Sequence, residues 1–353
     1  MKNYFVIGVM SGTSIDGVDI VYTNFSYNQS WTFKIICSKT YDYDSQWQII
    51  LKNLSNNNID SIKQIDKNYT KILSNFILEF IKEFSIKQID FVSSHGHTAL
   101  HDPLNAITYQ IGNLPELSTY TKLKVICDFR LQDVKLGGQG APLVPVGEKF
   151  LFPEYNTLIN LGGFANITKR TNDSLIAYDI CPVNIVFNHL SNLIELKYDD
   201  KGKLASSGKI KIKLFNHLQS LEYYNSNPPK SLGVEWVNKF VLPLLDKFSD
   251  TPVNDLLHTF SNHIANQISD NIEPNTNILI TGGGAYNNYL IQRIRNQSNS
   301  KIHIPDPKII EYKEALIFAF LGVLRNLNIN NCYSSVTGAK KDHCSGKIIF
   351  PRT

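Results

Sequence analysis

Two stretches of this chain share one plan, and that plan limits the possible folds more than any other feature. Residues 6–25 read VIGVMSGTSIDGVDIVYTNF, and residues 157–170 read TLINLGGFANITKR. In each, an apolar run ends at glycine and small polar residues, and a second strand-like run follows. A third strand is predicted after each, in TFKIICSKTYDY and in SLIAYDI. Residues 61–84 then place Ile62, Ile65, Tyr69, Ile72, Leu73, Phe76, Ile77, Phe80 and Ile81 at helical spacing. QIDFVSSHGHTALH reads as a buried strand leaving into a polar loop, and KVICDF repeats that design. The second half continues with a helical stretch over 184–196 and an irregular insertion over 200–232, with a short helix around 209–221. An amphipathic helix (VNDLLHTFSNHIANQI), a strand–glycine–helix unit (NILITGGGAYNNYLIQRIR) and an apolar helix (KEALIFAFLGVLRNL) close the chain. The repeated plan predicts two α/β domains of related topology facing each other across a cleft.

Composition narrows the partners. The 353 residues suffice for two domains with real cores. A formal charge of +4, with no clustered basic stripe, argues against nucleic acid. No window approaches the apolar length of a membrane span, and the N-terminus is a poor signal peptide. Five scattered cysteines without a Cys-x-x-Cys pair point to reduced thiols in a cytoplasm.

Three glycine turns end buried strands: SGTSIDG at 11–17, LGGFAN at 161–166 and TGGGAYN at 281–287. One such turn means little, because Gly-Gly often serves only a tight hairpin. Three, with Asp16, Asp19 and Asp179 near by, suit a nucleotide. Small residues let backbone N–H groups approach phosphate, and a carboxylate can hold Mg²⁺ through water. Neither the Walker loop nor Gly-x-Gly-x-x-Gly fits the first turn.

These residues carry a resemblance. GVMSGTSIDGVD, SSHGHTALHDP, YQIGN, CDFRLQDVKLGGQGAPLVP, LINLGGFANIT, YDICPVN, LASSGK, PKSLG, ITGGGAYNNYL, KEALIFAFLG and the late VTGA follow one another as they do in the anhydro-N-acetylmuramic acid kinase family. That family lies within the actin and sugar-kinase superfamily, and the similarity spans nearly the whole chain. It implies an α/β fold of two ribonuclease-H-like (actin-like ATPase) domains flanking a nucleotide and substrate cleft. The first would cover 1–140, possibly completed by the C-terminal segment; the second would cover 141–353 with its insertion near 198–235. The implied reaction uses ATP, Mg²⁺ and water to open an anhydro sugar and phosphorylate it, in a bacterial cytoplasm that recycles peptidoglycan. A homodimer is implied too.

The resemblance also assigns roles. Asp179 falls on the family's general base in an Asp-Thr-Gly-Pro-Gly-Asn motif. Gly12, Thr13, Ser14, Ile15, Asp16, Gly17, Val18 and Asp19 would bind the nucleotide phosphates, Asp16 holding Mg²⁺ through water. Gly162, Gly163, Gly282, Gly283 and Gly284 would complete the nucleotide site. His95, Asp128, Arg130, Gln139, Asn184 and Glu314 are the candidate sugar-binding residues. Asp128 and Arg130 read alternatively as a plain ion pair, and Glu314 as a charge at the start of an apolar helix.

This chain departs from the family at several positions. Ile180, Cys181 and Val183 replace Thr, Gly and Gly of the base motif. His97 stands where many members have Gln, and His95, His97 and His101 invite a zinc reading that their context does not support. Leu232 and Val234 stand where the family often has Thr and Arg. The changes leave open a kinase of a different amino or anhydro sugar. An ATP-driven conformational switch is the other alternative, though it would need no sugar pocket.

Overall fold

The computed structural model describes residues 2–12, 15–171 and 175–352. Thr13 and Ser14, two of the expected phosphate ligands, lie outside the described residues. The chain divides into two units, Met1–Pro153 with Tyr312–Thr353, and Glu154–Glu311. Residues 141–153 and the C-terminal segment therefore lie with the first unit.

The first unit opens with β1 (Lys2–Ser11), β2 (Gly17–Asn28) and β3 (Ser30–Asp42), an antiparallel meander. The helix Ile59–Glu83 follows. Its buried positions Ile62, Tyr69, Leu73, Ile77 and Phe80 recur every three or four residues (Tyr69 two turns on from Ile62), so one face enters the core. Each such side chain contributes about 1.5–3 kcal/mol by leaving water. Asn58 caps the helix by accepting the Ser61 N–H at 2.9 Å. The chain returns through β4 (Phe91–Ser94) and the two-stranded hairpin β5 (His97–Asp102) and β6 (Ile107–Ile111), and then β7 (Val125–Cys127). The polar loop expected after β4 is thus largely a hairpin. His97 and Ala99 are buried along it while Thr98 and Leu100 are less so, an alternation masked in sequence by His and Asp. Sheet order is Lys347–Ile349, β7, β4, β1, β2, β3, with β4 and β7 parallel to β1.

The second unit repeats this order. β8 (Thr157–Leu161), β9 (Phe164–Arg170) and β10 (Leu175–Pro182) are antiparallel, and β11 (Asn277–Thr281) and β12 (Lys301–His303) continue the sheet in parallel from β8. Its sheet order is β10, β9, β8, β11, β12. Parallel neighbours need crossovers, which the helices Val253–Asp270 and Asn288–Gln297 supply. Three antiparallel strands extended by parallel strands from the first is the ribonuclease-H-like order. The chain carries it twice, as the actin-like ATPase fold requires.

The helix Pro307–Asn326 passes the boundary between the units at Glu311 and Tyr312. From Ala315 to Leu321 every residue is buried, which explains its apolar circumference. Asp306 caps its start, its carboxylate accepting the Lys308 N–H at 2.9 Å. Glu314 therefore lies two turns inside the helix, and its reading as an N-terminal charge is corrected. Among the described residues, no helix is long and apolar enough to cross a membrane.

Candidate functional site

In the first unit the hairpin between β1 and β2 rests on a buried chain of hydroxyls. Ser11 Oγ lies 2.7 Å from Tyr43 Oη and 2.8 Å from His97 Nδ1, and Tyr43 Oη lies 2.5 Å from Tyr69 Oη. All four residues are buried. Just before β2, Asp16 is exposed and its carboxylate accepts the Gly17 N–H at 3.0 Å. Asp19 accepts the Thr40 hydroxyl at 2.6 Å. Gly17 has no room for a side chain: a Cβ there would lie 2.6 Å from the Tyr41 carbonyl oxygen. Ile15 takes a positive φ of 58°, and the Val18 side chain packs in the core, which leaves it closed to a ligand.

A second group in this unit gathers the expected sugar residues. Arg130 Nε donates to His95 Nε2 at 2.9 Å, so the His95 proton sits on Nδ1, which donates to the Gly96 carbonyl at 2.8 Å. Burial and the Arg130 charge hold His95 well below the usual histidine range. It is a neutral anchor. Arg130 Nη1 also donates to the Gly140 carbonyl at 2.6 Å, which fixes the loop bearing the exposed Gln139. Asn113 joins the group: its amide donates to the His95 carbonyl at 3.1 Å and to Asp128 at 3.2 Å. Burial pushes the Asp128 carboxyl up. No ion pair forms between Asp128 and Arg130, so the plain ion-pair reading is corrected. Glu314 is exposed, with the charges of Lys313 and Arg130 acting on its carboxyl. The zinc reading of His95, His97 and His101 finds no support, since among the described residues the one cluster suited to a metal lies elsewhere.

In the second unit, two glycine turns, Gly162–Gly163 and Gly282–Gly284, come together around Asn160 and Asn184. Gly282 has φ +81° and ψ 165°, and a Cβ on it would lie 2.8 Å from the Leu161 carbonyl oxygen. Gly284 is as tight, 2.7 Å from the Leu161 Cβ. These two glycines serve the close approach of the turn to β8. Gly163 and Gly283 differ: both are exposed, neither needs a positive φ, and a Cβ would meet nothing within 4 Å at Gly163 and only the Asn184 amide, at 3.7 Å, at Gly283. Contacts inside the protein do not require glycine there, so the space fits an approaching ligand. Asn184 bridges the turns, its amide donating to the Leu161 carbonyl at 3.3 Å.

Asp179 sits on β10 directly opposite Asn166 of β9. The pairing shifts between Asp179 and Cys181, so Ile180 is an extra residue that re-aims the strand. Asp179 Oδ1 accepts from the Asn166 amide, and Oδ2 accepts the Leu232 N–H at 2.8 Å. The Asp179 carbonyl accepts the Tyr223 hydroxyl at 2.6 Å. One bond per carboxylate oxygen leaves each oxygen a free lone pair. Burial pushes this carboxyl up, while Leu232 and Asn166 pull it back. The altered motif needs no glycine: none of residues 180–183 has a positive φ, and Val183 takes φ −131°. Ile180, Cys181 and Val183 fill the core instead. Burial pushes the Cys181 thiol up, so it packs rather than reacts. Leu232 binds Asp179 through its backbone, which makes its side chain irrelevant to that bond. Sequence reasoning missed Asn113, Asn166, Asn160 and Tyr223; the first three lie inside the quoted YQIGN and LINLGGFANIT stretches, the only signal available for them.

Comparison with known proteins shows the family of the chain. A family model described as "Anhydro-N-acetylmuramic acid kinase" matches residues 4–351. The anhydro-N-acetylmuramic acid kinase of Bacillus thuringiensis (strain Al Hakam) is 32% identical over 99% of this chain and 100% of its own. That of Bacillus cereus (strain 03BB102) is 32% identical over 98% and 99%. Among solved structures, the activator of the 2-hydroxyisocaproyl-CoA dehydratase from Clostridium difficile with bound ADPNP is 14% identical, with a TM-score of 0.47 over 92% of this chain and 97% of that one. A ligand-bound xylulose kinase from Lactobacillus acidophilus is 12% identical, with a TM-score of 0.40 over 99% and 94%.

Proposed function

Because the chain belongs to the anhydro-N-acetylmuramic acid kinase family, a family of phosphotransferases, we propose that it uses ATP and water to open the ring of 1,6-anhydro-N-acetylmuramic acid and to phosphorylate O6. The products are N-acetylmuramic acid 6-phosphate and ADP, and the setting is peptidoglycan recycling in a bacterial cytoplasm. The observation that carries this reading is Asp179: a carboxylate held from both sides, with a lone pair on each oxygen, on the strand that pairs with β9 as β9 leaves the Gly162–Gly163 turn.

In this reading Asp179 takes a proton from water as the water oxygen bonds to the anomeric carbon. The bond from that carbon to the bridging oxygen breaks, and that oxygen, now O6, takes the γ-phosphoryl group. Phosphoryl transfer asks the protein chiefly for positioning and charge neutralisation. The exposed Asp16 carboxylate is a hard oxygen donor of the kind that suits Mg²⁺ through water. When bound, Mg²⁺ neutralises phosphate charge. Gly12 and residues 15–19 hold the phosphates through the backbone, with Asp19 oriented by Thr40. Gly162, Gly163 and Gly282–Gly284 approach the nucleotide, and Asn184 keeps those two turns together. His95, Asp128, Arg130, Gln139, Asn184 and Glu314 bind the sugar, with Asn113 fixing the first two.

The test is an ATP-dependent assay of purified protein with 1,6-anhydro-N-acetylmuramic acid in ¹⁸O-labelled water, read by mass spectrometry. One label at the anomeric position of a phosphorylated product is the expected result. Phosphorylation without label would remove the ring-opening step, and no product with ATP bound would point to another sugar.

A further inference from the structure

Outside this machinery, three side chains of different chemistry converge in the interior of the first unit. Cys332 and His343 face each other across an isolated antiparallel bridge, each N–H donating to the other's carbonyl at 3.1 Å. Such a pair puts both side chains on one face. Asp133, from the short helix Leu131–Lys135, meets them there. All three are buried, and the Asp133 oxygen, Cys332 Sγ and His343 nitrogen lie within 4.8 Å of one another. His343 Nδ1 lies 3.1 Å from the Lys341 carbonyl, which can only accept, so the ring proton sits on Nδ1. The lone pair of Nε2 then faces the Asp133 carboxylate at 3.5 Å, and Nε2 has no hydrogen-bond partner although the residue is only 4% exposed. A lone pair against a buried carboxylate is unfavourable unless a cation lies between them. Asp133 itself accepts the Gly140 N–H and the Thr337 hydroxyl, both at 2.7 Å, and feels the charge of Arg130.

We propose that Asp133, Cys332 and His343 form a binding site for a divalent cation of the zinc type. One oxygen, one nitrogen and one sulfur donor suit zinc among the common divalent ions. Tetrahedral zinc with ordinary bond lengths sets its ligand atoms roughly 3.4–3.6 Å apart, and the 3.5 Å between His343 and Asp133 matches. The Nδ1–H bond to Lys341 fixes the tautomer, as the outer partner of a metal-bound histidine does. Binding replaces the Cys332 thiol proton, which is released to solvent, and the fourth position falls to a solvent or backbone oxygen. The role is structural. Gly140 is bonded to Asp133, Gln139 N–H donates to the Thr337 carbonyl at 2.8 Å, and Lys340 N–H donates to the Leu136 carbonyl at 3.1 Å. The cation would clasp the loop carrying Gln139 to the C-terminal segment.

The experiment is a titration of the full-length, chelator-stripped protein with Co²⁺, followed by absorption. Expected are one molar equivalent bound, tetrahedral visible bands and a near-ultraviolet thiolate-to-cobalt band, all displaced by Zn²⁺. Cys332→Ser should lose the thiolate band, His343→Ala should weaken binding at least tenfold, and Cys344→Ser should change neither. Zn²⁺ should also raise the melting temperature of the stripped wild-type protein, a readout that stands even where a variant fails to fold. An unchanged melting temperature with no spectrum at equimolar Co²⁺ would overturn the proposal and leave an imidazolium–carboxylate pair. A thiolate band that survives in Cys332→Ser would overturn it as well. Neither readout uses the kinase reaction, so this proposal can fail without touching that one.

Discussion

Residues 12–16 join β1 to β2, with Asp16 exposed next to β2, whereas β8–β9 turns over Gly162 and Gly163 alone. The first stands on side chains, through Ser11, His97, Tyr43 and Tyr69. The second stands on backbone: the Gly163 carbonyl accepts the Val183 N–H at 2.8 Å, and the Gly162 carbonyl accepts the Asn184 N–H at 3.2 Å. One strand order thus yields two unlike surfaces. The first adds the carboxylates of Asp16 and Asp19 to its backbone. The second offers bare backbone, and its carboxylate comes from the neighbouring strand β10. In the proposed reaction the first surface meets the charge of the phosphates and the second stands beside the base.

The sharpest way to break this division is to neutralise one carboxylate on each side. Asp179→Asn should keep ATP affinity and lower turnover by about 10²–10⁴-fold, the usual worth of a general base. Full activity in that variant would remove Asp179 from the mechanism. Asp16→Asn should instead raise the Mg²⁺ concentration needed for half-maximal rate, which a Mg²⁺ titration at fixed ATP reads directly. The pH profile adds a sign. Burial raises the Asp179 pKa, so turnover should climb with pH through a midpoint above the ordinary aspartate value near 3.8. A carboxyl raised on folding favours the native state only while protonated, and that contribution is lost as pH rises through its folded pKa. At neutral pH, Asp179→Asn should therefore melt no lower than the wild type.

The glycines allow a smaller test of the same contrast. Gly282→Ala puts a side chain in a backbone region open almost only to glycine and presses it on Leu161, so it should cost about 1–3 kcal/mol in denaturant unfolding. Gly163→Ala meets nothing and should stay within about 0.5 kcal/mol of wild type. Its effect should appear as a raised KM for ATP. An unaltered KM would mean that Gly163 serves the turn alone.

Much of this was readable in the sequence, for physical reasons that also mark where reading stops. Both hairpins announce themselves because strand periodicity and glycine turns are local. Helix Ile59–Glu83 likewise carries its own period. Partners distant in sequence leave no such trace. Asn113 ties His95 to Asp128, and nothing in the spacing of positions 95, 113 and 128 says so. The bulge at Ile180 is set by the sheet, not by YDICPVN, so the direction of Asp179 could not be read from its own segment. Asp133 and His343 meet through a late segment that folds back onto the first unit.

The smallest expected effect concerns the side-chain stalk of the first hairpin. His97 accepts from or donates to Ser11 and is buried enough that its pKa falls to about 4. It is therefore neutral across the physiological range and holds the hairpin by a hydrogen bond rather than a charge. Glutamine can make the same bond to Ser11, so His97→Gln should leave turnover and the KM for ATP nearly unchanged. His97→Ala, which leaves the buried Ser11 hydroxyl short of a partner, should cost about 1–3 kcal/mol and raise the KM for ATP more than it lowers kcat. Acid separates the wild type from the Gln variant. An unfolded histidine takes up its proton near 6.5, while folded His97 resists until about 4. Wild-type stability should thus decline as pH falls through that window, and His97→Gln should be spared this part of the loss. Parallel melting curves for the two proteins from neutral pH down to acid would mean that His97 opens to water and does not hold the first hairpin.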